Sequence, residues 1–292
     1  MIKIRLRGVV AALAVVTLVG TACANASSSS SPGGGPTQTS AAALTTIKPG
    51  FITVGSCLDY APFETVKGTQ PTGFDVELTD AIAAKLGFDK AHVKWVKANF
   101  NTIFTAVAQG NFDMVAAAVT ATGKTGAQRA QVVSFSDYYY NSLQSLAVNS
   151  ANSPTITSPD QLVKGDSVGV QKGTTGFQWA VDNLQPKGIV IRTYTSATDA
   201  FRDLSAGNLT GVINDEPSSY AIAASMTDVK VVAPIDTNEK YAFAFAPTNT
   251  GLVTAWNDGL KQVIADGEYA TIFAKYFPGT PVPPEYAATP AS

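Results

Sequence analysis

Three stretches of the sequence carry residues of complementary charge at positions where chemistry is possible. Lys172-Gly173-Thr174-Thr175 follows the short run Val168-Gly169-Val170 and opens a segment of helical period. The free N–H groups and positive dipole end of a helix start there suit an anion such as a carboxylate. Asn214-Asp215-Glu216 follows Val212-Ile213 and sets a carboxylate where an ammonium could meet it. Thr120, Thr122 and Arg129 follow the apolar run from Met114 to Val119, and an arginine there can pair bidentately with a carboxylate. Singly these read as a threonine N-cap, a solvated acid and a surface arginine. Their common position, just past the end of a predicted strand, is where open α/β sheets bind ligands.

Other chemistries are excluded or weakened. Ala118 to Thr125 matches the relaxed P-loop pattern, with Ala118 where the stricter form has glycine, and Val212 to Asp215 could pass for the acidic strand that holds Mg²⁺. The residues after Lys124 lack the apolar helix period of a P-loop helix, and the N-terminus directs the chain to where ATP is scarce. Two cysteines and one histidine rule out a Cys/His structural zinc site and leave little for histidine catalysis. His92 precedes a strand, where a solvated or capping role is expected. No metal, cofactor or catalytic residue is expected.

The elements that must position these residues alternate in type. Strands are predicted at Phe51 to Val54, Val93 to Val96, Met114 to Val119, Ser167 to Val170, Ile189 to Thr193, Val212 to Asn214, Val229 to Val232 and Tyr241 to Ala246. Helices are predicted around Val76 to Leu86, after an Asn101 cap, after Thr175, at Thr198 to Ala206, and twice beyond Leu252. Short β-branched runs between helical segments indicate α/β units with largely parallel strands, and the repeat after about Asn149 indicates two similar α/β lobes.

The start of the chain is of another kind. Lys3, Arg5 and Arg7 precede an apolar run from Val9 to Val19 and then Gly20-Thr21-Ala22-Cys23, the pattern of an export signal. The run is too short to span a bilayer, which takes roughly 20 residues. The stretch resembles a lipobox with Cys23 as the acylated residue, although Gly20 stands where leucine is usual, which leaves ordinary cleavage open. Residues 24–43 are Ser, Gly, Pro, Thr and Ala without a large apolar side chain and read as a disordered tether. Loss of the signal moves the formal charge from −2 to about −5, which argues against a nucleic-acid partner.

In order and spacing, Asp59-Tyr60-Ala61-Pro62-Phe63-Glu64, Gly73-Phe74-Asp75-Val76-Glu77-Leu78, Ala108 to Asp113, Phe135 to Tyr139, Val168 to Thr175, Leu204 to Gly207 and Asp266-Gly267-Glu268-Tyr269 resemble the family-3 extracellular solute-binding proteins of polar amino acid ABC transporters. The resemblance implies a two-lobe periplasmic-binding-protein fold of type II, α/β, with the lobes joined by two hinge strands. It implies a first lobe of residues 44–147 and 241–292 and a second of 148–240, after a lipoprotein signal at 1–23.

It further implies an amino acid ligand in the interlobe cleft, delivered to an ABC permease by a monomer anchored on the extracytoplasmic face of the membrane. Arg129 with Thr120, Thr174 and Thr175 would hold the ligand carboxylate, Asp215 its ammonium, and Tyr60 and Phe100 the flanks of its side chain. Two departures bear on specificity. About four extra residues separate Thr122 from Arg129, and Cys57, with Ala117 and Ala118, stands where binders of cationic amino acids carry an acid and serines. Basic ligands would lose a partner there, unless an acid elsewhere, such as Glu64, compensates. Enzymes of the cyclohexadienyl dehydratase kind resemble the same family and are the alternative; they need a general acid at the substrate.

Overall fold

The computed structural model describes residues 44–288. The export signal, Cys23 and the tether lie outside the described residues. The first elements are β1 (Ile52–Ser56), a small hairpin of β2 (Thr65–Lys67) and β3 (Gln70–Thr72), α1 (Phe74–Lys85), β4 (Val93–Lys97), α2 (Phe100–Ala108), β5 (Met114–Val115) and α3 (Gly123–Arg129). A long strand, β6 (Ser134–Asn149), leads to β7 (Ser167–Gln171), α4 (Thr175–Asn183), β8 (Val190–Tyr194), α5 (Ala197–Ser205), β9 (Gly211–Asp215) and α6 (Glu216–Ala223). A second long strand, β10 (Val229–Phe245), returns to α7 (Thr250–Ala265) and α8 (Glu268–Tyr276).

Eight strands form one sheet in the order β4-β1-β5-β10-β6-β9-β7-β8, and its two ends are built alike. Parallel β4, β1 and β5 meet antiparallel β10, while parallel β8, β7 and β9 meet antiparallel β6. The long strands pair with each other from Ser134–Phe245 at one end to Asn149–Val229 at the other, with a register break between Ile235 and Glu239. Each is thus shared by two lobes. Beyond the break, Ala244 of β10 pairs with Val115 of β5, and Gln144 to Val148 of β6 pair with β9. Two lobes joined by two strands is the architecture expected from the sequence.

Each lobe has its own core. In the first, Phe63, Phe74, Phe243, Trp256 and Phe273 are buried in one cluster, and Ile103, Phe104 and Phe112 in another. In the second, Val168, Val170 and Leu184 form one cluster and Phe201, Leu204 and Val212 another. Each such side chain contributes about 1.5 to 3 kcal/mol on burial, so each lobe carries its own stabilising core. Gly73 fixes the entry to α1: its φ is +139°, and a Cβ there would lie 2.0 Å from the Phe63 carbonyl oxygen. That close approach lets Phe74 N and Asp75 N donate to the carbonyls of Pro62 and Phe63, both at 2.9 Å.

Some expectations change. α2 is capped by Asn99, whose Oδ1 accepts from Asn101 N at 2.9 Å, so Asn101 is a first-turn residue. The run from Met114 to Val119 is buried throughout, yet only Met114 and Val115 are strand; at Ala118 the backbone turns left-handed, φ +48°, and leaves the ladder. Val229 to Val232 and Tyr241 to Ala246 are not separate strands: 229–245 is continuous β10, paired with β6 up to Ile235 and again from Glu239, with the polar residues 236–238 looped out between. The hairpin β2–β3, α3, the strand character of β6 and α6 were not predicted.

Candidate ligand cleft between the lobes

The nine side chains singled out for a ligand role line one cavity. From the first lobe, Cys57 and Tyr60 follow β1, Phe100 opens α2, Ala118 and Thr120 follow β5, and Arg129 ends α3. From the second, Thr174 and Thr175 follow β7 and Asp215 ends β9. The carboxyl ends of strands in both lobes face the same space. It is narrow, about 20 Å³ for the centre of a water-sized sphere, room for about one water.

Thr174 rather than Thr175 caps α4, its Oγ1 accepting from Phe177 N at 3.1 Å. Gly173 precedes it with φ +82°, and a Cβ there would stand 3.1 Å from Asn101 Oδ1 of the first lobe, so glycine allows the lobes to approach. Arg129 spans the gap. It is 6% exposed and donates from Nη1 to Thr120 O at 2.7 Å and from Nη2 to Gly173 O at 3.0 Å. Its guanidinium lies 4.8 Å from the Phe104 ring centroid and 5.2 Å from that of Phe100, a cation–π arrangement. Burial lowers its pKa to about 10, against the opposing charges of Glu239 and Asp215, so it stays protonated at neutral pH.

Residues not singled out from the sequence complete the wall. Glu239 of β10 is buried and accepts from the hydroxyls of Thr120 at 2.6 Å and Thr175 at 2.9 Å, from Gln144 Nε2 at 3.0 Å and from the Thr237 hydroxyl at 2.8 Å. Two of the three threonine hydroxyls expected to hold a ligand carboxylate thus donate to an internal one here. Asp215 accepts from Gln144 Nε2 and, at 2.6 Å, from the Tyr241 hydroxyl. Burial, and next the charge of Glu239, raise its pKa. Tyr60 is half-buried, packs against apolar clusters of both lobes and donates to Asn214 Oδ1 at 3.1 Å.

Asp75 stands behind the turn at Ala118. Its carboxylate accepts from Ala118 N at 2.8 Å and from the Tyr139 hydroxyl at 2.9 Å, and burial, partly offset by these bonds, raises it to about 7. Asp59, Glu64, Ala117 and Gln171 also line the cavity. Glu64 is fully buried and neither carboxylate oxygen has a hydrogen-bond partner. Cys57 is a free thiol, pushed well up by burial and then by the charges of Glu64 and Asp59, which makes it a poor nucleophile.

Glu239 had no local signal, since Thr237-Asn238-Glu239-Lys240 reads as a polar turn. Lys124 of the P-loop-like stretch opens α3 and pairs with Asp182 at 3.4 Å, away from the cavity lining. His92 is half-buried against Phe51, its Nδ1 2.7 Å from Asp89 Oδ1, and does not line the cavity.

Two α/β lobes on a pair of shared strands, closing on a cavity with an arginine at one wall and acids at others, define a bilobal solute-binding protein. The chain belongs to the bacterial extracellular solute-binding proteins, family 3, whose sequence profile matches residues 52–279. Among the described residues no helix is long and apolar enough to cross a membrane. A probable histidine-binding protein of Neisseria gonorrhoeae is 31% identical over 247 residues, 81% of this chain and 87% of that protein. An ancestral arginine-binding protein bound to arginine superposes with TM-score 0.71 at 29% identity, over 78% of this chain and 98% of the other. An ancestral amino acid-binding protein described as a precursor of cyclohexadienyl dehydratase superposes with TM-score 0.69 at 33% identity, over 78% and 96%.

Proposed function

We propose that this chain is the extracytoplasmic binding component of an ABC importer, that its lobes close on an amino acid, and that it passes the ligand to a membrane permease without chemical change. The observation that carries this is the convergence of Arg129, Thr120 and Thr175 with Asp215 at the strand ends of two lobes around one buried cavity. A zwitterion needs a cationic and an anionic partner. Asp215 receives the ammonium, and Arg129 with the two threonines and the free N–H groups at the start of α4 receives the carboxylate. Three or four charge-assisted bonds of roughly 1.5 to 3 kcal/mol, offset by ordering costs, suit micromolar binding near −8 kcal/mol.

Because the closed cavity is narrow and the hydroxyls of Thr120 and Thr175 already donate to Glu239, entry requires the lobes to part at β6 and β10 and the hydroxyls to turn. This is hinge closure of the periplasmic-binding type. We assign residues 44–147 and 241–292 to one moving lobe and 148–240 to the other. Acylation of Cys23, with residues 24–43 as a tether, would hold a monomer beside its permease at high effective concentration.

A thermal-shift screen against the twenty amino acids tests this reading, since a ligand of the folded state raises the midpoint by mass action. At least one amino acid should raise it; no response to any would overturn the proposal. Turnover of prephenate or arogenate by the purified protein would replace it with the dehydratase reading.

A further inference from the structure

We propose that Glu239 competes with the ligand's carboxylate for the hydroxyl hydrogens of Thr120 and Thr175, and so sets how strongly the cleft favours a carboxylate over an uncharged group at that end. This rests on the amino-acid-binding reading above and adds a positioning residue that tunes it. A threonine hydroxyl has one hydrogen to donate. Thr120 of the first lobe gives its hydrogen to Glu239 Oε2 at 2.6 Å, and Thr175 of the second gives its own to the same oxygen at 2.9 Å. Thr175 Oγ1 also accepts from Gln144 Nε2 at 3.1 Å, which leaves its hydrogen for Glu239. Both threonines line the cavity. What they offer a ligand there is lone pairs, which attract a donor and repel a carboxylate.

Glu239 is held in place from its other side as well. Its Oε1 accepts from Gln144 Nε2 at 3.0 Å and from the Thr237 hydroxyl at 2.8 Å, so this buried carboxylate is satisfied without a ligand. It sits where β10 resumes its pairing with β6, opposite Ser142, and is carried by a connecting strand that both lobes share. A bound carboxylate therefore gains the two hydroxyls only by taking them from Glu239, and each bond gained is offset by a bond lost. Glutamine at this position removes the conflict. Its amide oxygen belongs at the Oε1 seat, where the donors of Gln144 and Thr237 converge, and that turns its NH2 group onto the two threonines. The threonine oxygens then accept from the amide, and their hydrogens are free for the cavity.

The test is calorimetry of the full chain and of Glu239→Gln with the twenty amino acids, and with the α-carboxamide of each one that binds. Glu239→Gln should bind the amino acid about threefold or more tightly than the wild type does. The carboxamide, whose NH2 group suits the wild-type lone pairs, should gain less or lose affinity. Replacing a residue that only supports the fold would weaken both. Glu239→Asp, which draws the carboxylate back by one methylene, should show part of the gain, and it decides the question if the glutamine variant does not fold. Unchanged or weaker amino-acid binding by the folded variant, or a gain as large for the carboxamide as for the amino acid, overturns the competition. Failure of the wild type to bind any amino acid overturns the underlying binding reading and the competition with it.

Discussion

The two ends of the cleft differ in how their charged groups are satisfied. At the end formed by Arg129, Glu239 and Asp215, every charged group has partners within the chain, and several of those partners come from the opposite lobe. Arg129 holds carbonyls of both lobes, and Glu239 accepts from Thr120 of one and Thr175 of the other. At the Cys57–Glu64 end a buried carboxylate has none. The first end is therefore a preorganised latch, costly to disturb even without ligand, and the second holds a buried acid without a partner of its own. Substitutions of Arg129 or Asp215 at the latch should weaken binding and folding together, whereas at the open end removal of the unpartnered Glu64 carboxylate should not destabilise the fold.

The largest effects belong to the latch. Asp215→Ala and Arg129→Ala should each weaken amino-acid binding by about 2 to 4 kcal/mol, because each leaves a ligand charge unpaired in a desolvated site. Both should also lower the thermal midpoint of the ligand-free protein. Arg129→Lys should recover little, since a single ammonium cannot reproduce the two-pronged bond to Thr120 O and Gly173 O. Calorimetry and unfolding read these separately; unchanged affinity for both alanine variants would remove the two residues from the site and break the comparison.

How much of this was legible in the sequence follows from which contacts are local. Gly173-Thr174-Thr175 and Asp215 sit directly past strands with clear apolar patterns, so their place in the cleft could be read from spacing. Arg129 could be placed in the cleft, but its hold on Gly173 O depends on the lobes being closed, which no local pattern records. Glu239 could not be found, because β10 is held as a strand by a partner some hundred residues earlier in the chain, and its central residues read locally as a turn. Thr120 lines the cavity, although the strand before it is shorter than its apolar run: the turn at Ala118 is held by Asp75 from α1, a contact across 43 positions. Lobe architecture was the most legible feature, since it rests on repeated local units.

A smaller effect, on stability alone, is read by pH and draws on both ends. Asp75 is raised to about 7 and Glu64 and Asp215 are raised as well, in each case first by burial. A carboxyl whose folded pKa exceeds its unfolded value contributes stability that is fully present below the ordinary carboxylate range and is lost as pH rises through the folded value. Exposed carboxylates held low by partners, Asp89 and Asp203 among them, act in the opposite direction and are screened by solvent. The ligand-free protein should therefore lose at least about 2 kcal/mol of unfolding free energy between pH 5 and 8, measured by denaturant titration. Stability that rises over this range would contradict the burial of these groups.

The smallest effect probes the open end. Cys57→Asp puts an acid where cationic-ligand binders carry one, yet in the wild-type background it sits beside Glu64, whose charge already acts on position 57. Two neighbouring buried carboxyls share a proton rather than ionise together, so the gain in lysine affinity should be about 1 kcal/mol or less. In a Glu64→Gln background the same substitution stands alone and should raise lysine affinity by more, giving a non-additive double-mutant cycle. Additive effects in the two backgrounds would mean that positions 57 and 64 do not address the same end of the ligand, and the latch would then be the only part of the cleft that recognises charge.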